Sequence, residues 1–214
     1  MIAAGPAKDL LPPAPANLEF DLRPLPAGSR WFRFVRAAHP NPLGVGAGPS
    51  RFSDPELDAG RPPRFRPFYL GASFGVCFLE TILRDSANGR PGDWPLAISE
   101  LGLWTCASIT VTAPMLTADL RGDAAVRARV PSDALRASDQ HLGRTWSAAI
   151  WAHPDTPHGI AYNSRLNGEE CLAVYVDDTR AAAASLACTG RAPLLDMVDE
   201  LAATMDRFKV ALVR

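Results

Sequence analysis

Several patterns that reveal chemistry most directly are missing from this chain, and each gap excludes something. The four cysteines, Cys77, Cys106, Cys171 and Cys188, lie far apart with no CxxC pair, so neither a zinc site nor a redox dithiol is suggested. Cys77, Cys106 and Cys171 sit in apolar runs and are expected to act as small core residues. No apolar run approaches the about 20 residues that a membrane-spanning helix needs. No basic region followed by an apolar run opens the chain, so no secretory signal is read there, and a reducing cytoplasm is the expected location. Neither GxSxG nor the phosphate loop GxxxxGKS/T occurs, and the loop glycines precede no helix in the dinucleotide-binding pattern. An excess of one charge is missing too. The formal net charge is -1, so no whole-molecule field argues for nucleic acid. Lysine is almost absent: of 22 basic residues, only Lys8 and Lys209 are lysines and 20 are arginines. Most surface arginines are simply solvated, but guanidinium forks also suit phosphate groups.

What is present fits one domain of 214 residues with ample apolar content, 47%, for a packed core. Residues 1–30 carry prolines at 6, 12, 13, 15, 24 and 26 and read as an extended arm. A first strand is expected over residues 31–35. A long Gly/Pro loop follows over 39–67, and a loop of that length is usually functional or mobile. Residues 68–73 read as a short strand ending at Ser73, the N-cap of a helix over 73–84. Strands are expected over 96–100 and 103–111, around a tight turn at Gly102, and over 115–120. Helices are expected over 122–130 and 138–152, the second capped by Ser138 or Asp139. Strands over 158–166 and 171–176 should join through Asn167-Gly168, a two-residue hairpin signal. A helix over 192–206 and a strand over 208–213 close the chain. The irregular mixture of elements predicts an α+β domain with a mixed central sheet and flanking helices.

Five positions could carry chemistry. Val76, Leu79, Glu80 and Leu83 share one helix face, and a carboxylate on a core-facing stripe needs a task or a partner. Tyr69, from the preceding strand, should be delivered close to Glu80. Arg33 alternates with Phe32 and Phe34 and faces the other side with Trp31 and Val35, either snorkelling at an edge or reaching into a cleft. Arg51 lies in the glycine-rich loop, where backbone can approach a ligand closely. Ser164 shares a strand face with Ile160 and Tyr162. Each has a plainer alternative: Arg84 could pair with Glu80 at the surface, worth about 0.3–0.5 kcal/mol, Tyr69 could be a core aromatic with a satisfied hydroxyl, and Ser164 could fill a strand.

Taken in order, these segments resemble the RES-domain family, named for an arginine, a glutamate and a serine. The resemblance is carried by Phe32-Arg33-Phe34, Ser50-Arg51-Phe52, Phe68-Tyr69-Leu70-Gly71-Ala72-Ser73, Leu79-Glu80, Thr145-Trp146-Ser147 and Gly159-Ile160-Ala161-Tyr162-Asn163-Ser164-Arg165. It departs from the family where Ser50 and Phe52 flank Arg51 and where the segment from Arg51 to Tyr69 is long and proline-rich. It implies an ADP-ribosyltransferase-like fold over residues 31–214 and the toxin half of a bacterial toxin–antitoxin pair. It further implies NAD as substrate, cleaved at the nicotinamide–ribose bond with water or phosphate as acceptor and no metal. A protein ADP-ribosyltransferase using the same pocket is the alternative enzyme, and a non-catalytic binding module the alternative class. On this resemblance Glu80 stabilises the cationic ribose. Tyr69 offers a flat face to nicotinamide or its ribose, Arg33 and Arg51 hold the diphosphate, and Ser164, or Ser147 beside Trp146, orients a ribose or amide group. The implied partner is a small helical antitoxin of the Xre, helix-turn-helix type. The 39–67 loop and the 1–30 arm are its candidate contact surfaces, with no nucleic acid or membrane bound by this chain.

Overall fold

The computed structural model describes residues 10–84, 86, 89–178 and 183–213. Residues 1–9 of the proline-rich arm lie outside them. The elements are β1 (Leu22–Leu25), β2 (Arg30–Arg36), β3 (Arg66–Gly71), α1 (Phe74–Phe78), β4 (Trp94–Ala97), α2 (Ile98–Leu101), β5 (Trp104–Val111), β6 (Met115–Asp119), α3 (Gly122–Arg127), α4 (Ser132–Arg136), α5 (His141–Trp151), β7 (Gly159–Asn163), β8 (Glu170–Val176), β9 (Leu186–Pro193), α6 (Val198–Phe208) and β10 (Val210–Val213). The main sheet has eight strands in the order β1-β6-β7-β8-β3-β2-β5-β9. All its neighbours are antiparallel except β6 and β7. β4 and β10 form a separate parallel pair.

Period-two alternation sorts side chains to the two faces of this sheet. Phe68, Leu70, Leu172 and Val174 pack with Trp31, Ile109 and Met115 on one side. Tyr69, Ala173, Tyr175, Ile160 and Tyr162 pack on the other, with Phe52, Phe65 and Ile150 of α5. A third cluster joins Phe34 and Cys106 to Phe74, Phe78 and Leu83 and to Leu194 and Leu201. Cys77, Cys106 and Cys171 are buried and unpaired, as small core residues should be.

One seam in the sheet positions everything that follows. β3 pairs with β8 from Arg66 to Gly71, and β2 pairs with β5 from Arg30 to Arg36. Between them, β2 and β3 register only at Phe32 and Gly71. The strands splay apart on one side of that point, and α1 leaves β3 directly into the gap. Gly71 is required there, because a Cβ would come within 2.6 Å of Val76 and 2.7 Å of the Cys77 sulfur. The Cys77 thiol donates to the Phe32 carbonyl at 3.2 Å, occupying an acceptor left open by the splayed strands.

Several expected elements differ. Residues 22–25, read as part of an extended arm, form β1 at one sheet edge, with Pro24 tolerated there because an edge strand can spare an N–H. The strand expected over 96–100 ends at Ala97 and turns into α2, and it pairs with β10 rather than with β5. The helix expected from 192 begins at Val198, because residues 186–193 form the opposite edge strand and Pro193 ends it. Phe208 belongs to α6, which Lys209 closes in the left-handed conformation at φ 53°. The hairpin between β7 and β8 is wider than two residues: Ser164 donates to the Glu169 carbonyl at 2.8 Å, leaving residues 165–168 as the loop, with Gly168 at φ +77°.

Candidate active site

The Ser73 hydroxyl caps α1, accepting from the Val76 N–H at 3.1 Å. After Phe78 the helix widens into a π-turn over Leu79–Leu83, closed by the Arg84 N–H donating to the Leu79 carbonyl at 2.7 Å. Such widened turns recur at functional sites because they re-aim side chains. Here Val76, Leu79 and Leu83 remain buried while Glu80 is half-buried at a cavity wall.

Glu80 meets Ser164 behind that wall: Ser164, expected to orient a ribose or amide group, is not itself among the residues that line the cavity. The Ser164 hydroxyl donates to Glu80 Oε1 at 2.6 Å and accepts from the Leu166 N–H at 3.1 Å, so its direction is set from both sides. Ser164 is 1% exposed. Among the described residues, Glu80 Oε2 has no hydrogen bond. The cavity measures about 490 Å³ and is bounded by Arg33, Arg51, Tyr69, Glu80, Tyr162 and Arg165, among others. That is a size typical of small-molecule sites.

Tyr69 does two things. Its ring lines the cavity. Its hydroxyl accepts from the Phe52 N–H at 3.0 Å and shares a 3.0 Å hydrogen bond with the Ser50 hydroxyl. Burial pushes the phenol up to about 12, against the pull of those hydrogen bonds, so it stays protonated at neutral pH. Tyr69 therefore fixes the backbone on both sides of Arg51. Ser53 adds to the grip, accepting from the Ser50 N–H at 2.8 Å. From the other side α5 presses on the same residue: a Cβ on Gly143 would come within 2.8 Å of the Arg51 carbonyl and 2.6 Å of the Ala134 carbonyl.

Held this way, Arg51 points a charged group at the cavity with no protein partner for one end. Its Nη1 is buried and donates to no acceptor among the described residues. A buried orphan donor is uncommon and calls for an explanation. Burial, followed by the nearby Arg165 charge, lowers its pKa. Arg33 differs. Its guanidinium lies 4.1 Å from the centre of the Phe68 ring and donates to the Pro42 carbonyl at 3.1 Å. Burial lowers its pKa to about 10, which still leaves it charged at neutral pH. It shares the face of Trp31, as alternation predicted, and it also reaches the cavity wall.

Trp146 and Ser147, expected at the ligand, do not line this cavity. Trp146 is 3% exposed and its indole N–H donates to the Leu10 carbonyl at 2.8 Å. The Ser147 hydroxyl is fully buried, donating to the Phe52 carbonyl at 2.8 Å. Tyr175 donates in turn to the Ser147 carbonyl at 3.0 Å. The physical reason is helical phase: both face the core side of α5, where Ser147 braces the Arg51 segment from behind and Trp146 holds the chain at Leu10. Conversely, sequence reasoning passed over Gln140 and Ser138, in the connection between α4 and α5, and gave no task to Arg165. All three line the cavity. Neither Ser138 nor Asp139, the two expected caps, takes that place, which falls to Gln140 without a side-chain bond; the Asp139 carboxylate accepts from the His141 N–H at 2.9 Å. Ser138, Gln140 and Arg165 all fall inside expected elements, the helix over 138–152 and the strand over 158–166, and no local pattern marks them for the cavity. Among the described residues, no group of three or more His, Cys, Asp or Glu converges to hold a metal ion, and no helix is long and apolar enough to cross a membrane.

Comparison with known proteins bears on this arrangement. The chain is 42% identical, over 131 residues, to a protein of Sinorhizobium fredii (strain NBRC 101917 / NGR234) named probable toxin y4kH, a match covering 61% of this chain and 100% of that one. It also resembles a chain in the crystal structure of the M. tuberculosis MbcT–MbcA toxin–antitoxin complex. That likeness has a TM-score of 0.58 at 18% identity, over 84% of this chain and 92% of the other, and concerns the fold alone. The RES domain family model matches residues 22–195. That span starts at the first residue of β1, takes in Arg33, Arg51, Tyr69, Glu80 and Ser164, and covers the whole splayed sheet, so the chain belongs to the RES domain family.

Proposed function

We propose that this chain is the toxin of a toxin–antitoxin pair, and that it acts by cleaving the nicotinamide–ribose bond of NAD. The toxin reading draws on family membership and on the names of its relatives. The observation that carries the chemistry is the Ser164–Glu80 hydrogen bond, which orients a carboxylate on the wall of a cavity that also receives an Arg51 donor without a partner among the described residues.

Departure of nicotinamide builds positive charge on the ribose, as in glycoside cleavage. A carboxylate already oriented stabilises that charge without reorganising at the moment of reaction. Ser164 supplies the orientation at Oε1, and Oε2 is left to face a sugar hydroxyl. The Tyr69 ring offers a flat apolar wall. Arg51 supplies fork-shaped donors for a phosphate oxygen, with Arg33 on the neighbouring wall. A small helical antitoxin of the helix-turn-helix type would silence the protein by covering this cavity.

The test is incubation of the purified chain with NAD, with separation of nicotinamide, free ADP-ribose, phosphorylated ADP-ribose and labelled protein. Nicotinamide release at a rate that Glu80→Gln lowers by about 10²–10³-fold, with folding intact by circular dichroism, is the expected result. Label carried onto protein would instead make the chain an ADP-ribosyltransferase. Undiminished NAD, or a Glu80→Gln rate equal to the parental one, would overturn the reading.

A further inference from the structure

Glu80 and Ser164 are 84 residues apart in sequence, yet they meet at 2.6 Å. One residue touches both of the elements that carry them. The Glu169 carbonyl accepts from the Ser164 N–H at 2.8 Å, closing the hairpin loop. The Glu169 carboxylate turns the other way. Its Oε2 accepts from the hydroxyl of Ser73, the residue that caps α1. Its Oε1 pairs with Arg207 Nη1 of α6 at 2.7 Å. Ser73 can serve both because its oxygen accepts the Val76 N–H while its proton goes to Glu169. Gly75 leaves room beside this contact: a Cβ there would lie 3.3 Å from Arg207 Nη1.

We propose that Glu169 is a positioning residue for the Glu80–Ser164 pair. Its main chain fixes Ser164, and its side chain fixes the first turn of the helix that delivers Glu80, so one residue, through its carbonyl and its carboxylate, ties together the elements that carry the two groups. The neighbouring backbone bond, Ala72 N–H to the Glu170 carbonyl at 3.0 Å, ties β3 to β8 but does not reach the helix cap. The side chain is 24% exposed, so its removal opens no core cavity. The inference rests on the NAD-cleaving reading for its kinetic arm only.

Two measurements test it. In NAD turnover, Glu169→Ala should lower kcat by roughly tenfold to 10²-fold, the scale of a misplaced catalytic group, with KM within about twofold. Glu169→Gln keeps an acceptor for Ser73 and should retain most of the rate. In a Ser164→Ala background, Glu169→Ala should add little, since both act through one contact; fully additive losses would make Glu169 a general scaffold residue and overturn the proposal. The second arm needs no activity. Amide hydrogen exchange at Ser164 and at the first turn of α1 should quicken in Glu169→Ala and stay near parental in Glu169→Gln. Parental exchange and parental kcat in Glu169→Ala would overturn it. If Glu169→Ala does not fold, Glu169→Asp, which draws the carboxylate back from Ser73 and leaves the helix cap in place, takes its place in both arms. If the parental chain leaves NAD intact, the functional reading falls, and the exchange arm alone decides whether Glu169 positions the pair.

Discussion

The two halves of the long loop between β2 and β3 use arginine in opposite ways. In the first half, arginines are the holders. Arg191 donates to the carbonyls of His39 at 2.8 Å and Pro40 at 3.1 Å and to the Thr105 hydroxyl at 2.9 Å. Arg33 donates to Pro42, and Arg66 to Gly46 and Ala47. In the second half, an arginine is held. Hydroxyls of Ser53, Tyr69 and Ser147 bind the backbone around Arg51, and α5 closes on it at Gly143. Further along, the buried Asp54 locks the segment by a paired contact with Arg64. Burial would raise the Asp54 pKa, but the hydrogen bonds from Arg64 and from the Glu56 N–H outweigh it and hold it below the usual carboxylate range. The difference shows how to read an arginine-rich chain. A guanidinium whose donors are used on carbonyls is scaffold. One whose backbone is clamped while a buried donor has no partner is reserved for something not part of the protein.

The sharpest way to break that comparison is at Arg51. Arg51→Ala should lower NAD turnover by about 10²-fold, the scale of a lost charge-assisted contact of 1.5–3 kcal/mol, while leaving the melting temperature unchanged or slightly higher, since an uncompensated buried donor is removed. Arg51→Lys should not restore the rate, because an ammonium lacks the fork. Steady-state kinetics beside a melting curve separates these effects. If Arg51→Ala melts markedly lower and turns over normally, Arg51 is scaffold after all.

Arg191→Ala probes the other half and should do the reverse. Losing its contacts to loop carbonyls at an exposed position should cost about 1 kcal/mol, or roughly 2–4 °C in melting temperature for a chain of this size. Turnover should fall by less than about tenfold, through a looser loop rather than a lost contact, consistent with the smaller effect of groups that act only by positioning. A loss as deep as that of Arg51→Ala would mean that the loop's two halves form one functional unit.

How much of this was legible beforehand follows the physics of each signal. Ser73 as cap, the stripe of Val76, Leu79, Glu80 and Leu83, and the shared face of Ile160 and Tyr162 were readable, because they depend on period and on neighbours within a few residues. β9 was not, because Leu186 is its only buried residue and the remainder faces outward at a sheet edge without clean alternation. Val198, inside the helix expected over 192–206, is 66% exposed, because the helix starts there instead of six residues earlier. Trp146 and Ser147 were assigned to the ligand from their motif, yet the face that α5 turns to the cavity is set by tertiary packing. Gly143 carries no local signal at all: its need for a missing Cβ exists only once the Arg51 loop lies against the helix.

The smallest expected effect is at Arg84, a scaffold arginine by the same test. Its place four residues after Glu80 suggested a surface ion pair with that carboxylate. Instead its Nε donates to the Glu80 main-chain carbonyl at 3.0 Å, and the Glu80 carboxylate turns to Ser164. The contact finishes the π-turn and leaves the charge of Glu80 alone. Arg84→Ala should therefore change NAD turnover by less than about threefold, within the range of a surface hydrogen bond, where loss of Glu80 removes the reaction. Its backbone offers a second, independent reading. At φ 47° and ψ -128° the residue sits where glycine is at ease and other residues are strained. Arg84→Gly should then melt at or above the parental temperature despite the lost hydrogen bond, while Arg84→Ala keeps the strain and melts lower. Equal losses of turnover in Arg84→Ala and Glu80→Gln would show that the two act as an ion pair in solution, and would remove the separation between scaffold arginines and the acid on which the site is built.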